Sequence, residues 1–245
     1  MSPIAEAPPP LDKVAWFHPM PLPPAPDPER VLRRPLAAGE TVQLVRGEVT
    51  LLFELRGGRC RFLRLQGGEQ EEELLLGTGI EASILVELFL PRRPLVLELD
   101  QPLALAPGGW LRGYVPLPLG WRIWLQGRQG EPRFLVEVPP AGLGLVYLGA
   151  REAGYAHALK ARLLPRRPGG WNPLDRAVLP LHLVARGPKW VEPGRLYLPL
   201  ERAGLRRVGG LFCTDPVRFR FGENGPTCRI RPLARAGGKG REAAS

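Results

Sequence analysis

The stretch Glu48-Val-Thr-Leu-Leu-Phe-Glu-Leu55, Arg56-Gly-Gly58, Arg59-Cys-Arg-Phe-Leu-Arg-Leu65, Gln66-Gly-Gly68 decides the fold. Two apolar runs are separated by a glycine pair, and a second pair closes the later run. Paired glycines supply the positive φ that a tight two-residue hairpin needs, so the stretch reads as strand, turn, strand, turn. In the second run Arg61 and Arg64 are interleaved with Phe62, Leu63 and Leu65, which fits a sheet with one face in water.

The same grammar continues on both sides. Further strands are expected at residues 84–90, 95–99, 110–115, 121–126, 134–138 and 145–148, then at 155–164, 177–184, 195–200 and 217–221. Gly and Pro each occur 30 times in 245 residues, so few helical windows escape interruption. Only residues 69–76 and the stretch around 201–206 read as helical turns. The acidic run Glu69 to Glu73 otherwise reads as a solvated loop or strand end, with a loose cation site as the functional alternative. The expected fold is all-β: an antiparallel β-sandwich, jelly-roll-like or of two packed sheets, with little helix.

The organisation follows from composition. Residues 1–38 carry most of the closely spaced prolines and read as an extended arm, held to the domain by Val14, Trp16 and Phe17. Residues 39–234 form the sandwich, with a division between lobes expected near 128–152. Residues 235–245 read as a disordered tail. No secretory signal and no apolar run long enough to span a membrane is found, so a cytoplasmic location is expected. The scarcity of Asn and Ser is compatible with a thermophilic source.

The net charge is +10, and it is unevenly distributed. Residues 1–122 hold 13 basic and 15 acidic side chains, whereas residues 123–245 hold 21 and 9. A basic second half favours nucleic acid, acidic headgroups or an acidic protein partner. The candidate basic surface comprises Arg162, Arg166, Arg167, Arg206, Arg207, Arg218, Arg220, Arg229 and Arg231, with Trp171 and Trp190 as candidate aromatic surface. Arg218 and Arg220 share a strand face at two-residue spacing, as do Arg229 and Arg231 if that segment is extended. Such a stripe either holds phosphates or shields a sheet edge. Trp110, Trp121 and Trp124 lie close in sequence; the last two fall on opposite strand faces, one for the core and one for an exposed stacking surface.

Catalytic motifs are absent. Serine occurs only at positions 2, 83 and 245, no nucleophile elbow or phosphate-binding loop is found, and His18, His157 and His182 lack ligand spacing. A metal site uniting His157 and His182 with Asp175 or Cys213 would need tertiary convergence. Asp100, Asp175 and Asp215 read as turn residues. Cys60, Cys213 and Cys228 read as buried apolar groups, with a bridge between the last two left open. No cofactor, metal or catalytic residue is expected.

Residues from about 85 to 221 resemble the domain-of-unknown-function family 432. The resemblance lies in Pro102-Leu-Ala-Leu-Ala-Pro-Gly-Gly109, Tyr114-Val-Pro-Leu-Pro-Leu-Gly120, Leu145-Val-Tyr-Leu-Gly149, Gly154-Tyr-Ala-His-Ala-Leu-Lys160, Trp171-Asn-Pro-Leu174 and Lys189-Trp-Val-Glu-Pro193. It implies an all-β protein of archaea and thermophilic bacteria, often encoded near small-conductance mechanosensitive channels, with no activity to carry over. The leading expectation is therefore a non-catalytic cytoplasmic interaction module that presents its basic half to an acidic partner, a channel's cytoplasmic region among them. A nucleic-acid binder of low sequence specificity is the first alternative. A metal-dependent or carbohydrate-active enzyme on a β-sandwich is the second.

Overall fold

The computed structural model describes residues 23–128, 130–149, 154–223 and 225–231. The first strands are β1 (Val31–Leu36), β2 (Thr41–Arg46), β3 (Val49–Arg56), β4 (Arg59–Gln66), β5 (Glu69–Gly77), β6 (Ala82–Phe89), β7 (Leu95–Leu99), β8 (Trp110–Pro118) and β9 (Gly120–Gly127). They are followed by β10 (Arg133–Val138), β11 (Gly144–Gly149), β12 (Gly154–Ala161), β13 (Arg176–Ala185), β14 (Arg195–Leu198), β15 (Leu205–Val208), β16 (Leu211–Thr214), β17 (Val217–Gly222) and β18 (Gly225–Ile230). The all-β expectation holds. The strands make four sheets, and three of the pairings, β12 with β7 and β13 with both β16 and β17, are parallel.

The stretch that opened the sequence reading forms β3 and β4 of a meander in the order β2-β3-β4-β5. Gly57 and Gly58 stand at φ of 55° and 74°, and Gly67 and Gly68 at 58° and 91°, so both glycine pairs make the turns their backbone freedom allows. One face buries Val42, Leu51, Phe53, Leu55, Cys60 and Phe62. The opposite face carries charge. Residues 69–76 are strand rather than helical turn, because Glu73 and Glu71 reach across to Arg61 and Arg64 of β4 at 2.7 and 3.1 Å. Near residue 201 a short 3-10 turn, Leu200–Arg202, does form, but Leu205–Val208 is strand β15.

The second sheet has the order β1-β6-β9-β10. Its edge strand β1 lies within the expected Pro-rich arm, and Pro35 is accommodated there because an edge position can forgo one ladder donor. Residues 1–22 of that arm, which include Val14, Trp16 and Phe17, and the tail lie outside the described residues. Trp121 and Trp124 fall on opposite faces of β9 as expected, yet both are buried, so neither makes an exposed stacking surface. Trp121 Nε1 donates to the Leu174 carbonyl at 2.7 Å beneath the Arg46 guanidinium, and Trp124 packs edge-on against Phe134. Arg46 donates to the Leu174 and Asp175 carbonyls, both at 3.2 Å, so one buried side chain ties the meander to the loop before β13. Burial pushes its pKa down to about 10, against the opposing pull of Asp175.

The third sheet runs β11-β12-β7-β14. In the fourth, β13 is central: β8 pairs antiparallel along one edge, β16 and β17 lie end to end along the other, and β15 and β18 extend these outward. All four sheets contribute to one contiguous core, in which Phe53, Phe62 and Phe212 are among the largest fully buried side chains. The three cysteines are unpaired, so no bridge joins Cys213 and Cys228. Among the described residues, no helix is long and apolar enough to cross a membrane.

Candidate anion-binding face

Strand alternation sorts the fourth sheet into two faces. Val115 and Leu117 of β8, Leu179, Leu181 and Leu183 of β13, and Val217, Phe219 and Phe221 of β17 point into the core. The intervening positions point outward, and the register aligns them in rows. Arg112 of β8 pairs with His182 of β13, His182 with Arg218 of β17, and Arg218 with Arg229 of β18. One row thus crosses four strands with a cationic or titratable side chain on every strand. The next row is Trp110, Val184, Arg220 and Thr227. On the other side Tyr114 pairs with Pro180, and the Arg231 backbone N–H donates to the Pro216 carbonyl at 2.9 Å.

A one-residue bulge creates this arrangement. Cys213 of β16 pairs with Val178, so it lies on the same face as His182, four residues further along β13. Unbroken pairing would then turn Val217 outward and Arg218 into the core. Between β16 and β17 the register against β13 advances by one residue, at Thr214-Asp215-Pro216, which reverses the parity. Asp215 clamps the bulge. Its Oδ2 accepts the Gly204 N–H at 2.8 Å, its Oδ1 faces Arg206 at 3.4 Å, and its own N–H donates to the Gly204 carbonyl. On the far edge, Leu164 makes a pair of backbone hydrogen bonds with Tyr114. Gly113 is required there, because a Cβ would stand 2.6 Å from the Leu163 side chain and 2.8 Å from the Leu164 carbonyl oxygen.

The electrostatics are one-sided. Among the described residues, Arg112, Arg186, Arg218, Arg220, Arg229 and Arg231 form no ion pair. Arg218 Nε is shielded from water and has no hydrogen-bond partner among the described residues. Desolvation, then repulsion from Arg220, Arg231, Arg186 and Arg112, holds the Arg218 pKa below its ordinary value. His182 is likewise lowered, by desolvation first and then by Arg218, Arg112 and Arg231. Like charges placed opposite one another across strands oppose folding. Two adjoining pockets of about 410 and 310 Å³ share Arg112, His182 and Arg218; the larger adds Tyr114, Pro180, Pro216 and Arg231, the smaller Trp110, Val184 and Arg186. Trp110 is 63% exposed, with the Arg112 guanidinium 5.3 Å from its ring centroid and the His182 ring edge-on at 6.0 Å.

Of the nine arginines expected at a basic surface, the fold brings Arg218, Arg220, Arg229 and Arg231 together. Three of the others are engaged elsewhere: Arg162 donates to Gln101, Arg167 to the Val208 carbonyl and to Cys213, and Arg206 faces Asp215. Arg166 and Arg207 are exposed and line neither pocket. Trp190 is exposed and Trp171 half-buried, and neither lines the pockets. Sequence reading missed Arg112, His182, Arg186 and Trp110 as members of the site. Their signal was present as the two-residue spacing of Trp110, Arg112 and Tyr114, but nothing linear joins β8 to β13. His157 lies on β12 in another sheet, and no cluster of three metal-ligating side chains occurs among the described residues.

No curated protein and no solved structure matches the chain. The family described as a protein of unknown function, DUF432, matches residues 33–234, a span that includes every strand of this face, and the chain belongs to that family.

Proposed function

We propose that the chain is a non-catalytic binding module whose cationic face docks an acidic segment of a partner protein. The observation that carries this reading is the row Arg112, His182, Arg218 and Arg229, which faces outward without a carboxylate. A fold that tolerates such repulsion gains stability when an anion covers it, since binding to the native state alone stabilises it. Adjacent strands are about 4.8 Å apart, so the row spans about 14 Å, the reach of four or five residues of extended chain. An acidic stretch of that length sets carboxylates against the three arginines of the row. The cytoplasmic region of a mechanosensitive channel is the partner class that the gene neighbourhood of similar proteins favours, with the module on the cytoplasmic side.

The test uses the full chain and an oligoglutamate peptide as probe. Wild type binds, affinity falls as salt rises, and the pair Arg112→Glu with Arg218→Glu weakens binding at least about a hundredfold. Equal affinity of variant and wild type overturns the reading. Trp110 supports a second reading, single-stranded nucleic acid, because an exposed indole beside arginines is a base-stacking platform. An oligothymidine that binds more tightly than the peptide, and loses affinity in Trp110→Ala, would put that reading first.

A further inference from the structure

Within this face, and resting on its reading as an anion-binding surface, we infer that the two adjoining pockets form a subsite for an organic diphosphate. The argument begins with donor number. Arg112, His182, Arg218 and Arg231 converge on the larger pocket, and Arg186 joins the first three at the smaller one. Each guanidinium offers five N–H donors in a fixed fork, and the four arginines together offer far more than the two oxygens of a carboxylate can accept. A phosphate presents three or four oxygens and up to two charges, so it matches such a cluster, and the planar arginine fork suits pairs of its oxygens.

The two-pocket form points to two phosphates. The pockets meet at Arg112, His182 and Arg218, with Arg231 on one side and Arg186 on the other. A diphosphate bridging the shared centre lets Arg218 serve both groups, and it supplies an acceptor for the Nε that has none among the described residues. Leaving that donor unpaired is costly, and a phosphate oxygen seated there would satisfy it. Tyr114, Pro180 and Pro216 then give the larger pocket an apolar wall against which the organic part of the molecule rests. Among the described residues, no carboxylate lines either pocket to compete for the arginines.

Arg229 separates this subsite from the wider docking face. It belongs to the cationic row yet lines neither pocket. Titration calorimetry of the full chain with inorganic phosphate, pyrophosphate, ADP and adenosine is the measurement, run on wild type, Arg218→Gln, Arg218→Lys and Arg229→Gln. Pyrophosphate and ADP bind at least about tenfold tighter than phosphate, adenosine does not bind, and ADP binds more tightly than pyrophosphate where the apolar wall contributes. Arg218→Gln loses at least about tenfold in pyrophosphate affinity, the scale of one charge-assisted hydrogen bond. Arg218→Lys keeps the charge and loses the Nε donor, so it also weakens pyrophosphate, whereas Arg229→Gln, which removes a neighbouring charge and no pocket donor, weakens it less than Arg218→Gln does.

Pyrophosphate binding no tighter than phosphate, or an equal loss in Arg229→Gln, overturns the subsite in favour of a diffuse field. An oligoglutamate peptide that binds while pyrophosphate does not overturns the subsite and leaves the docking face standing. Pyrophosphate binding without peptide binding removes the docking face and leaves the subsite. Circular dichroism of each variant excludes misfolding as the cause of a loss.

Discussion

Two cross-strand rows of this protein share a design and differ in sign. In the second sheet, Glu87 of β6, Arg122 of β9 and Glu137 of β10 stand side by side, with Arg122 at 3.5 Å from one carboxylate and 3.0 Å from the other. Arg92 adds a second contact to Glu137, and Phe89 lies against Arg122 at 4.9 Å from its ring centroid. In the fourth sheet, Arg218 occupies the equivalent central place but has His182 and Arg229 as neighbours. The first row pairs its arginine with carboxylates on both sides. The second leaves its charges uncompensated, so the difference lies in pairing rather than in the number of arginines. A basic composition is thus a poor guide to a binding face, whereas a missing counter-charge is a good one.

The sharpest way to break the comparison is to remove the central arginine from each row. Arg122→Met strands Glu87, which is 5% exposed, without its counter-ion, and the expected loss is about 3 kcal/mol in urea unfolding. Arg218→Met removes a repulsive neighbour, so its unfolding midpoint stays the same or rises in buffer free of multivalent anions. Equal destabilisation by the two substitutions would show that Arg218 is structural and that the rows are alike.

A second substitution tests how the cationic row is built. Asp215 touches no ligand pocket, yet it fixes the bulge that turns Arg218 outward. Asp215→Ala removes the acceptor for the Gly204 N–H and the partner of Arg206, with an expected cost of about 2 kcal/mol. If the bulge re-registers, anion affinity falls with it, although no cation has been lost. Retained affinity at reduced stability would show that the bulge holds without its clamp.

These two residues also mark what linear reading could reach. The hairpins of the meander were legible because a glycine pair carries its own backbone geometry and strands 49–56 and 59–66 are local partners. Most other strands were legible from apolar runs, and the alternation of Arg218 with Arg220 placed them on one face. Residues 69–77 misled because a glutamate run suits a helix until the facing arginines of β4 are known. The core of the site was hidden for a related reason. Arg112 and His182 lie 70 positions apart and meet only because β8 pairs with β13. Asp215 reads as an ordinary turn residue beside proline, since the sequence contains no sign that β16 and β17 share one neighbour with a residue to spare.

The smallest expected effect concerns protons, and it sharpens the electrostatic side of the comparison. His182 faces Trp110, Arg112 and Tyr114 from β8, Arg218 from β17, and Arg229 and Arg231 from β18 and its end, with no carboxylate among them. Desolvation, then Arg218, Arg112 and Arg231, hold its pKa below the value of the unfolded chain. Below about pH 6.5 the unfolded state therefore binds more protons than the native one, and stability falls as pH drops toward the native pKa. His157 is lowered as well, by desolvation and by Arg93, so His182→Gln should remove part of this slope rather than all of it. A bound anion reverses the sign at His182 by favouring its imidazolium. Sulfate, which keeps its charge across this range, should accordingly bind more tightly as pH falls from about 8 to about 5.5 in wild type, with a weaker trend in His182→Gln. Parallel pH profiles in the two proteins would mean that His182 does not feel the anion, and the bound charge would then have to sit away from the centre of the row.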